Sequence, residues 1–270
     1  MHLRHVIRLV VCSAMLTLFA ANASAQATAT QAPFEPQVGQ AGKDVVWVPT
    51  PQALVDKMLD MAKVTPQDYL IDLGSGDGRT VITAAKRGLT AHGIEYNPDM
   101  VTLAQGNAKT AGVSGKATFA KADLFESDFS KAQVITMFLL PSINLKLRPT
   151  LLNMKPGTRI VSNSFTMEDW QADQTETIEN CASWCSAHLW IVPAKVAGTW
   201  TLPQGALTLT QNFQMVSGTL GSTPITDGKL RGEEIVFKVG NASYTGRVQG
   251  NSITGTVTGG SGGTWSATRR

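Results

Sequence analysis

Tyr69-Leu70-Ile71-Asp72-Leu73-Gly74-Ser75-Gly76-Asp77-Gly78-Arg79 is the stretch on which the fold turns. Its apolar start reads as a buried strand, and Asp72 stands at the strand's end. Glycines follow at 74, 76 and 78, as a backbone needs when it turns sharply and must let a ligand approach without a Cβ in the way. Residues 80–87 then read as a helix whose free N–H groups face that ligand. A dinucleotide loop spaces its glycines as G-x-G-x-x-G. Counting from Gly74 puts Arg79 at the third glycine, so that pattern fails at its last position.

Outward from this loop, strand and helix alternate. Strands are predicted at 69–73, 90–95, 117–121, 133–139 and 158–164, and helices at 79–88, 98–111 and 143–153. Pro98 opens the second of these helices and Gly112 closes it. Strands separated by helices imply right-handed crossovers and a parallel sheet, with ligands at the carboxyl ends of the strands. Asp72, Glu95, Asp123 and Leu139-Leu140-Pro141 fall there. Segments 174–180 and 187–193 are expected to add an antiparallel pair. Ahead of the loop, Val45 to Pro51 is extended and apolar, and Thr50 is expected to cap a helix with Pro51 in its first position. Leu54, Met58, Leu59, Met61 and Ala62 form that helix's apolar face. His92, in mid-strand, reads as a packed histidine.

The composition shifts near residue 195. Beyond it the chain is rich in Gly, Thr and Ser with alternating apolar residues. Short strands are predicted at 206–211, 234–239, 242–248 and 252–257, with turns at Asp227-Gly228, Gly240-Asn241 and Gly250-Asn251. Gly198-Thr199-Trp200 recurs as Gly263-Thr264-Trp265, and its form is similar to the first strand of lipocalin- or avidin-like barrels. The expectation is a small antiparallel sheet or incomplete barrel over 195–270 that covers an edge or mediates contact. The α/β part is expected over 45–193, behind a flexible leader at 26–44 that is rich in Ala, Thr, Gln, Pro and Gly.

The first 25 residues read as a cleaved signal peptide. Arg4 and Arg8 supply the positive region, Leu9 to Ala21 the apolar one, and Ala23-Ser24-Ala25 the cleavage site. The expected location is therefore periplasmic or secreted, with no transmembrane segment in the mature chain. Cleavage takes away Arg4 and Arg8 and no acid, so 23 basic residues fall to 21 against 20 acidic ones. That balance, without a basic cluster, gives nucleic-acid binding little support. Cys181 and Cys185 remain, and an even count in an oxidising space suggests a disulfide across a very small loop. With His188 they could supply three zinc ligands, but no fourth stands at motif spacing, so no metal is expected.

The acid at the strand end followed by G-x-G-x-G resembles motif I of the class I S-adenosylmethionine-dependent methyltransferases, and Glu95 ends the next strand as that family requires. The resemblance spans roughly 45–193 and is nearest to bacterial relatives of the mitochondrial protein-lysine methyltransferases. It rests on Pro49-Thr50-Pro51, Asp72 to Arg79, Glu95-Tyr96-Asn97-Pro98, Ala122-Asp123-Leu124, and Pro156 to Phe165 followed by Asp169-Trp170. The implied fold is a Rossmann-like sheet and the implied cofactor S-adenosylmethionine. The backbone of Gly74, Ser75 and Gly76 would approach the methionine moiety, and Asp72 would orient the loop and, through water, the ammonium. Glu95 would hold the ribose hydroxyls. Asp123 would accept the adenine amino group, with Leu124 against the base. Tyr96 reads either as a stacking partner of adenine or as a core aromatic, and Arg79 as an ion-pair partner of Asp77.

No catalytic side chain is assigned. Aligning the acceptor and excluding water suffice for methyl transfer. Amino-methyltransferases acting on DNA or glutamine carry [DN]-P-P-[YF] after the fourth strand, whereas Met137-Phe138-Leu139-Leu140-Pro141 offers no side-chain acceptor for a planar amine. The leading expectation is N-methylation of a protein lysine. The alternative is an exported, non-catalytic binding module that keeps the fold and holds a cell-envelope partner through the β domain.

Overall fold

The computed structural model describes residues 34–260 and 262–269. The predicted signal peptide, 1–25, lies outside them. The α/β part runs α1 (Gln52–Met61), β1 (Tyr69–Leu73), α2 (Arg79–Lys86), β2 (Thr90–Glu95), α3 (Pro98–Thr110), β3 (Ala117–Lys121), β4 (Val134–Met137), α4 (Pro141–Leu152), β5 (Arg159–Asn163), β6 (Gln174–Thr177) and β7 (Ser186–Ile191). These strands form one sheet in the order β3-β2-β1-β4-β5-β7-β6. The first five are parallel, and β7 runs antiparallel to both β5 and β6.

The sheet is covered on both faces, which explains why β1, β4 and β5 are almost continuously buried rather than alternating. One core holds Leu54, Leu59, Val81 and Ala104 from α1, α2 and α3. The other holds Ile143, Leu147 and Leu151 from α4 with Trp170 and Trp190. From β1 the chain proceeds outward through β2 and β3, then returns to β4 on the other side. The ends of β1 and β4 therefore part at a switch point, where such sheets leave a crevice for ligands.

Two local expectations differ from the structure. Thr50 does not cap α1; its Oγ1 accepts a hydrogen bond from Asn163 Nδ2 at 3.2 Å, and Pro51 is the capping residue. The last predicted helix begins at Pro141 rather than 143, since a proline in the first turn leaves no helical N–H wanting a partner.

The C-terminal part is a closed barrel: β8 (Gly198–Leu202), β9 (Gly205–Asn212), β10 (Met215–Leu220), β11 (Thr223–Arg231), β12 (Glu234–Val239), β13 (Ala242–Gln249), β14 (Ser252–Thr258) and β15 (Gly263–Thr268). Consecutive strands pair antiparallel, and β15 closes on β8 at Thr268 and Thr201. The expected open sheet or incomplete barrel is thus corrected. Tight connections use so little chain that eight strands fit into residues 198–268. Sequence patterning misses β10 and β11 because Asp227-Gly228 reads as a turn. It is a bulge inside β11, where the pairing shifts register between Thr226 and Lys229 and Asp227 takes φ 53°. The two Gly-Thr-Trp copies deliver Trp200 and Trp265 to the interior, and Trp265 packs 5.5 Å from both Phe237 and Tyr244.

The barrel is docked on the sheet, not tethered by a free linker. Phe213 stacks on Trp170 at 5.9 Å, and Gln214 Nε2 donates to Gln171 O at 2.8 Å. Ala194 N–H donates to Gly232 O at 2.8 Å. Gln211 accepts from Val196 N–H and donates to Ala194 O, tying the connecting segment down.

Trp200 is fully buried and its indole N–H donates to Val196 O at 2.8 Å. Trp200→Ala is expected to cost about 3–5 kcal/mol by loss of buried area and creation of a cavity. Urea unfolding of the full chain checks this; a loss below about 1 kcal/mol would show that the barrel core does not depend on this ring.

Candidate active site

The loop after β1 is clamped onto β2. Gly74 and Ser75 N–H both donate to Ile94 O, at 2.9 and 3.1 Å. Glu95 then reaches back: its Oε2 accepts from Gly76 N–H and its Oε1 from Asn97 N–H, each at 2.9 Å. Gly76 takes φ +51°, and a Cβ there would lie 2.7 Å from Trp47 Nε1. A Cβ on Gly93 would overlap the Ser75 side chain, so β2 needs a glycine under the loop. Beyond the loop, Arg79 is held by the Asp77 carboxylate at 2.6 Å and by Thr50 O at 2.9 Å.

This loop, the ends of β1, β2 and β4, and the segment before α1 enclose a cavity of about 510 Å³. Asp72, Gly74, Ser75, Gly76, Glu95, Tyr96, Asp123 and Leu124 all line it, so the residues singled out from sequence are brought together. Asp72 is buried and accepts from Thr136 Oγ1 at 2.6 Å. Burial, with smaller repulsions from Glu95 and Asp77, pushes its carboxyl up to about 7 against the opposing Thr136 hydrogen bond. Ser75 Oγ is buried without a hydrogen-bond partner. Tyr96 is 49 % exposed and is not a core aromatic. His92 stands off the cavity with its ring nitrogen 2.8 Å from Thr118 Oγ1, as a packed histidine should.

The leader is where sequence reading misses most. The composition of 26–44 predicts a flexible segment, but from residue 37 the chain folds into a small hairpin. Gly39 N–H donates to Trp47 O, and Trp47 N–H to Gln40 O. The hairpin sets Lys43 in an ion pair with Asp123 and 4.8 Å above the Tyr96 ring. The Lys43 hydrogen bond and the Phe125 N–H hold the Asp123 carboxyl below its usual range, and Asp123 raises the Lys43 ammonium. Lys43 is exposed and Asp123 only half-buried, so solvent screens the pair and it adds little to stability. The run Val45 to Val48 is the available signal, since an apolar stretch must be buried somewhere.

The far side of the cavity is apolar. Phe138, Leu139 and Leu140 after β4, Phe165 after β5 and Trp184 in the β6–β7 loop line it. Cys181 and Cys185 are joined, so their sulfurs are not free to bind zinc beside His188. Taken whole, the lining carries five carboxylates, Asp44, Asp72, Asp77, Glu95 and Asp123, against two cations, Lys43 and Arg79.

The ANTKMT methyltransferase domain profile matches residues 72–174. A protein-lysine N-methyltransferase of Saccharolobus islandicus is 43% identical over 139 residues, which cover 50% of this chain and 86% of that protein. The chain belongs to this class I methyltransferase family. The adenine nucleotide translocase lysine N-methyltransferase of Mus musculus is 36% identical over 119 residues, which cover 43% of this chain and only 52% of that protein. A crystal structure described as an RNA methyltransferase from Salinibacter ruber, in complex with S-adenosylhomocysteine, is 46% identical and superposes with a TM-score of 0.52. It covers 55% of this chain and 96% of the other.

The methyltransferase uses S-adenosylmethionine, and its residues fit that molecule. The cavity is large enough, the glycine loop leaves space for it, and an acidic lining suits a sulfonium bearing an ammonium group.

Asp72 makes the ligand-free methyltransferase pH-sensitive in a definite direction. Because its folded pKa is raised, the folded state keeps a proton that the unfolded chain has lost, and stability falls as pH rises from about 4 to 7. Burial holds His92 and His188 low, which acts in the opposite sense near pH 6. The difference between wild type and Asp72→Asn isolates the carboxyl. The variant is expected to gain about 1.4 kcal/mol relative to wild type per pH unit between 5 and 7, read by urea titration. A pH-independent difference would show that Asp72 does not titrate in this window.

Proposed function

We propose that this methyltransferase moves the methyl group of S-adenosylmethionine to the ε-amine of a lysine on a protein substrate. The observation that carries the reading is the pairing of an acidic lining with an apolar acceptor side. Acids outnumber cations in that lining, five against two, which does not favour a polyanion such as RNA. A lysine stem suits an apolar channel that ends beside polar groups. The absence of an Asx side chain in Met137 to Pro141 removes the usual partner of a planar base amine. The lysine specificity of the Saccharolobus and mouse proteins supports the same reading.

Bound cofactor supplies an electrophilic methyl on a sulfonium. Around it, the loop backbone at Gly74 to Gly76 receives the methionine end and Asp72 attracts its ammonium. Glu95 is already oriented by two backbone amides and keeps acceptor capacity on both oxygens for the ribose hydroxyls. Tyr96 and Leu124 sandwich adenine, and Asp123 takes its amino group once Lys43 releases it. Calorimetry with S-adenosylhomocysteine is expected to show Glu95→Ala weakening binding by about 1–3 kcal/mol. Labelled S-adenosylmethionine and a cell extract should yield methyllysine on hydrolysis of the protein fraction. Label confined to nucleic acid would reverse the assignment of acceptor.

We also propose export. The Arg4, Leu9–Ala21 and Ala23-Ser24-Ala25 pattern supports it, as does the Cys181–Cys185 bridge, which suits an oxidising compartment. A cell-envelope partner would meet the outer, polar face of the barrel, because its inner face is filled by aromatic and aliphatic side chains. Mass spectrometry of the protein from a cell-envelope fraction should find Gln26 as the first residue and a mass two hydrogens below the dithiol. An intact Met1 with two free thiols would contradict export.

A further inference from the structure

Three aromatic rings at the acceptor side are not accounted for by packing. Phe138 and Phe165 lie 5.9 Å apart, and Trp184 stands 5.5 Å from the first and 5.4 Å from the second. They come from three separate connections, after β4, after β5 and between β6 and β7. None of them belongs to either core of the sheet. Trp184 is 38 % exposed, and it takes φ 59°, a left-handed conformation that a bulky side chain seldom adopts. Something must hold it there. The loop is closed by the Cys181–Cys185 bridge, with Cα atoms 5.7 Å apart, and its base is fixed by Ile178 N–H donating to Cys185 O at 2.9 Å.

We propose that Phe138, Phe165 and Trp184 form a mouth selective for the alkylammonium group of the methyl acceptor, and that the Cys181–Cys185 bridge is the device that keeps Trp184 in it. This deepens the lysine reading and rests on it. Aromatic faces attract a cation through their quadrupole while tolerating the apolar stem behind it. Of the two cations that line the cavity, Arg79 is committed to Asp77, and Lys43 stands over Tyr96 and Asp123, the residues assigned to adenine, rather than among the three rings. The bridge removes conformations in which the strained tryptophan would swing out of the cluster. Trp184 thereby sets acceptor affinity, and the two cysteines act as positioning residues.

The test uses choline and 3,3-dimethylbutan-1-ol, which share a shape but differ in charge, titrated calorimetrically into the full chain saturated with S-adenosylhomocysteine. Choline is expected to bind about three- to thirtyfold more tightly than the alcohol. Trp184→Leu should abolish that preference, Trp184→Phe should restore part of it, and S-adenosylhomocysteine affinity should stay unchanged in both, which also reports that they fold. The Cys181→Ser, Cys185→Ser double variant should lose preference in the same direction; if it keeps the wild-type preference, the positioning role of the bridge is overturned. Equal binding of choline and alcohol to the wild type overturns the mouth, even if methyllysine is formed. Preference for choline with label transferred to something other than lysine leaves the mouth standing and overturns the lysine assignment.

Discussion

Glu95 reaching back to the Gly76 N–H is the contact on which the site depends. It fastens the glycine loop to the neighbouring strand, already joined through Gly74, Ser75 and the Ile94 carbonyl. The loop can lie that close only because Gly93 beneath it carries no side chain. The same carboxylate is thus held at the rim of the cavity, its orientation set before any ligand arrives. Preorganisation of this kind lowers the ordering cost of binding.

Electrostatics divide the cavity into two ends. Asp72 sits buried where a charge is costly, so its carboxyl is pushed towards neutrality until a cation comes near. Asp123 sits half-buried and has already found a cation in Lys43. One end therefore gains from a cationic ligand, while the other exchanges one partner for another. On the far side, Phe138, Leu139, Leu140, Phe165 and Trp184 exclude water from the approach to the methyl group.

The barrel shows how an appended module is joined without disturbing this arrangement. Its docking uses Phe213 against Trp170 and Gln214 against the Gln171 carbonyl, together with the backbone hydrogen bond from Ala194 to Gly232. None of these residues lines the cavity. They instead cover the antiparallel end of the sheet, beside β7, whose preceding loop carries Trp184.

The α/β alternation, the glycine loop and the acids at 72, 95 and 123 are legible from sequence, because strand and helix periodicity and turn chemistry are local properties. The antiparallel pair and the four strands expected at 206–211, 234–239, 242–248 and 252–257 are legible for the same reason. Closure of the barrel is not, because Asp227-Gly228 satisfies a turn rule locally but is absorbed as a bulge when two neighbours supply hydrogen bonds on either side. The hairpin over Asp123 is hidden as well, since the composition of 26–44 predicts flexibility and only contact with Asp123 and the loop at Gly76 gives it somewhere to rest. The aromatic cluster is the clearest case. Phe138, Phe165 and Trp184 are far apart in sequence, and sheet order alone brings β4, β5 and β7 side by side. Which chemistry each strand end carries is written in the chain itself. Which of those ends face one another is settled only in the folded molecule, because register and strand order are set by packing between distant segments.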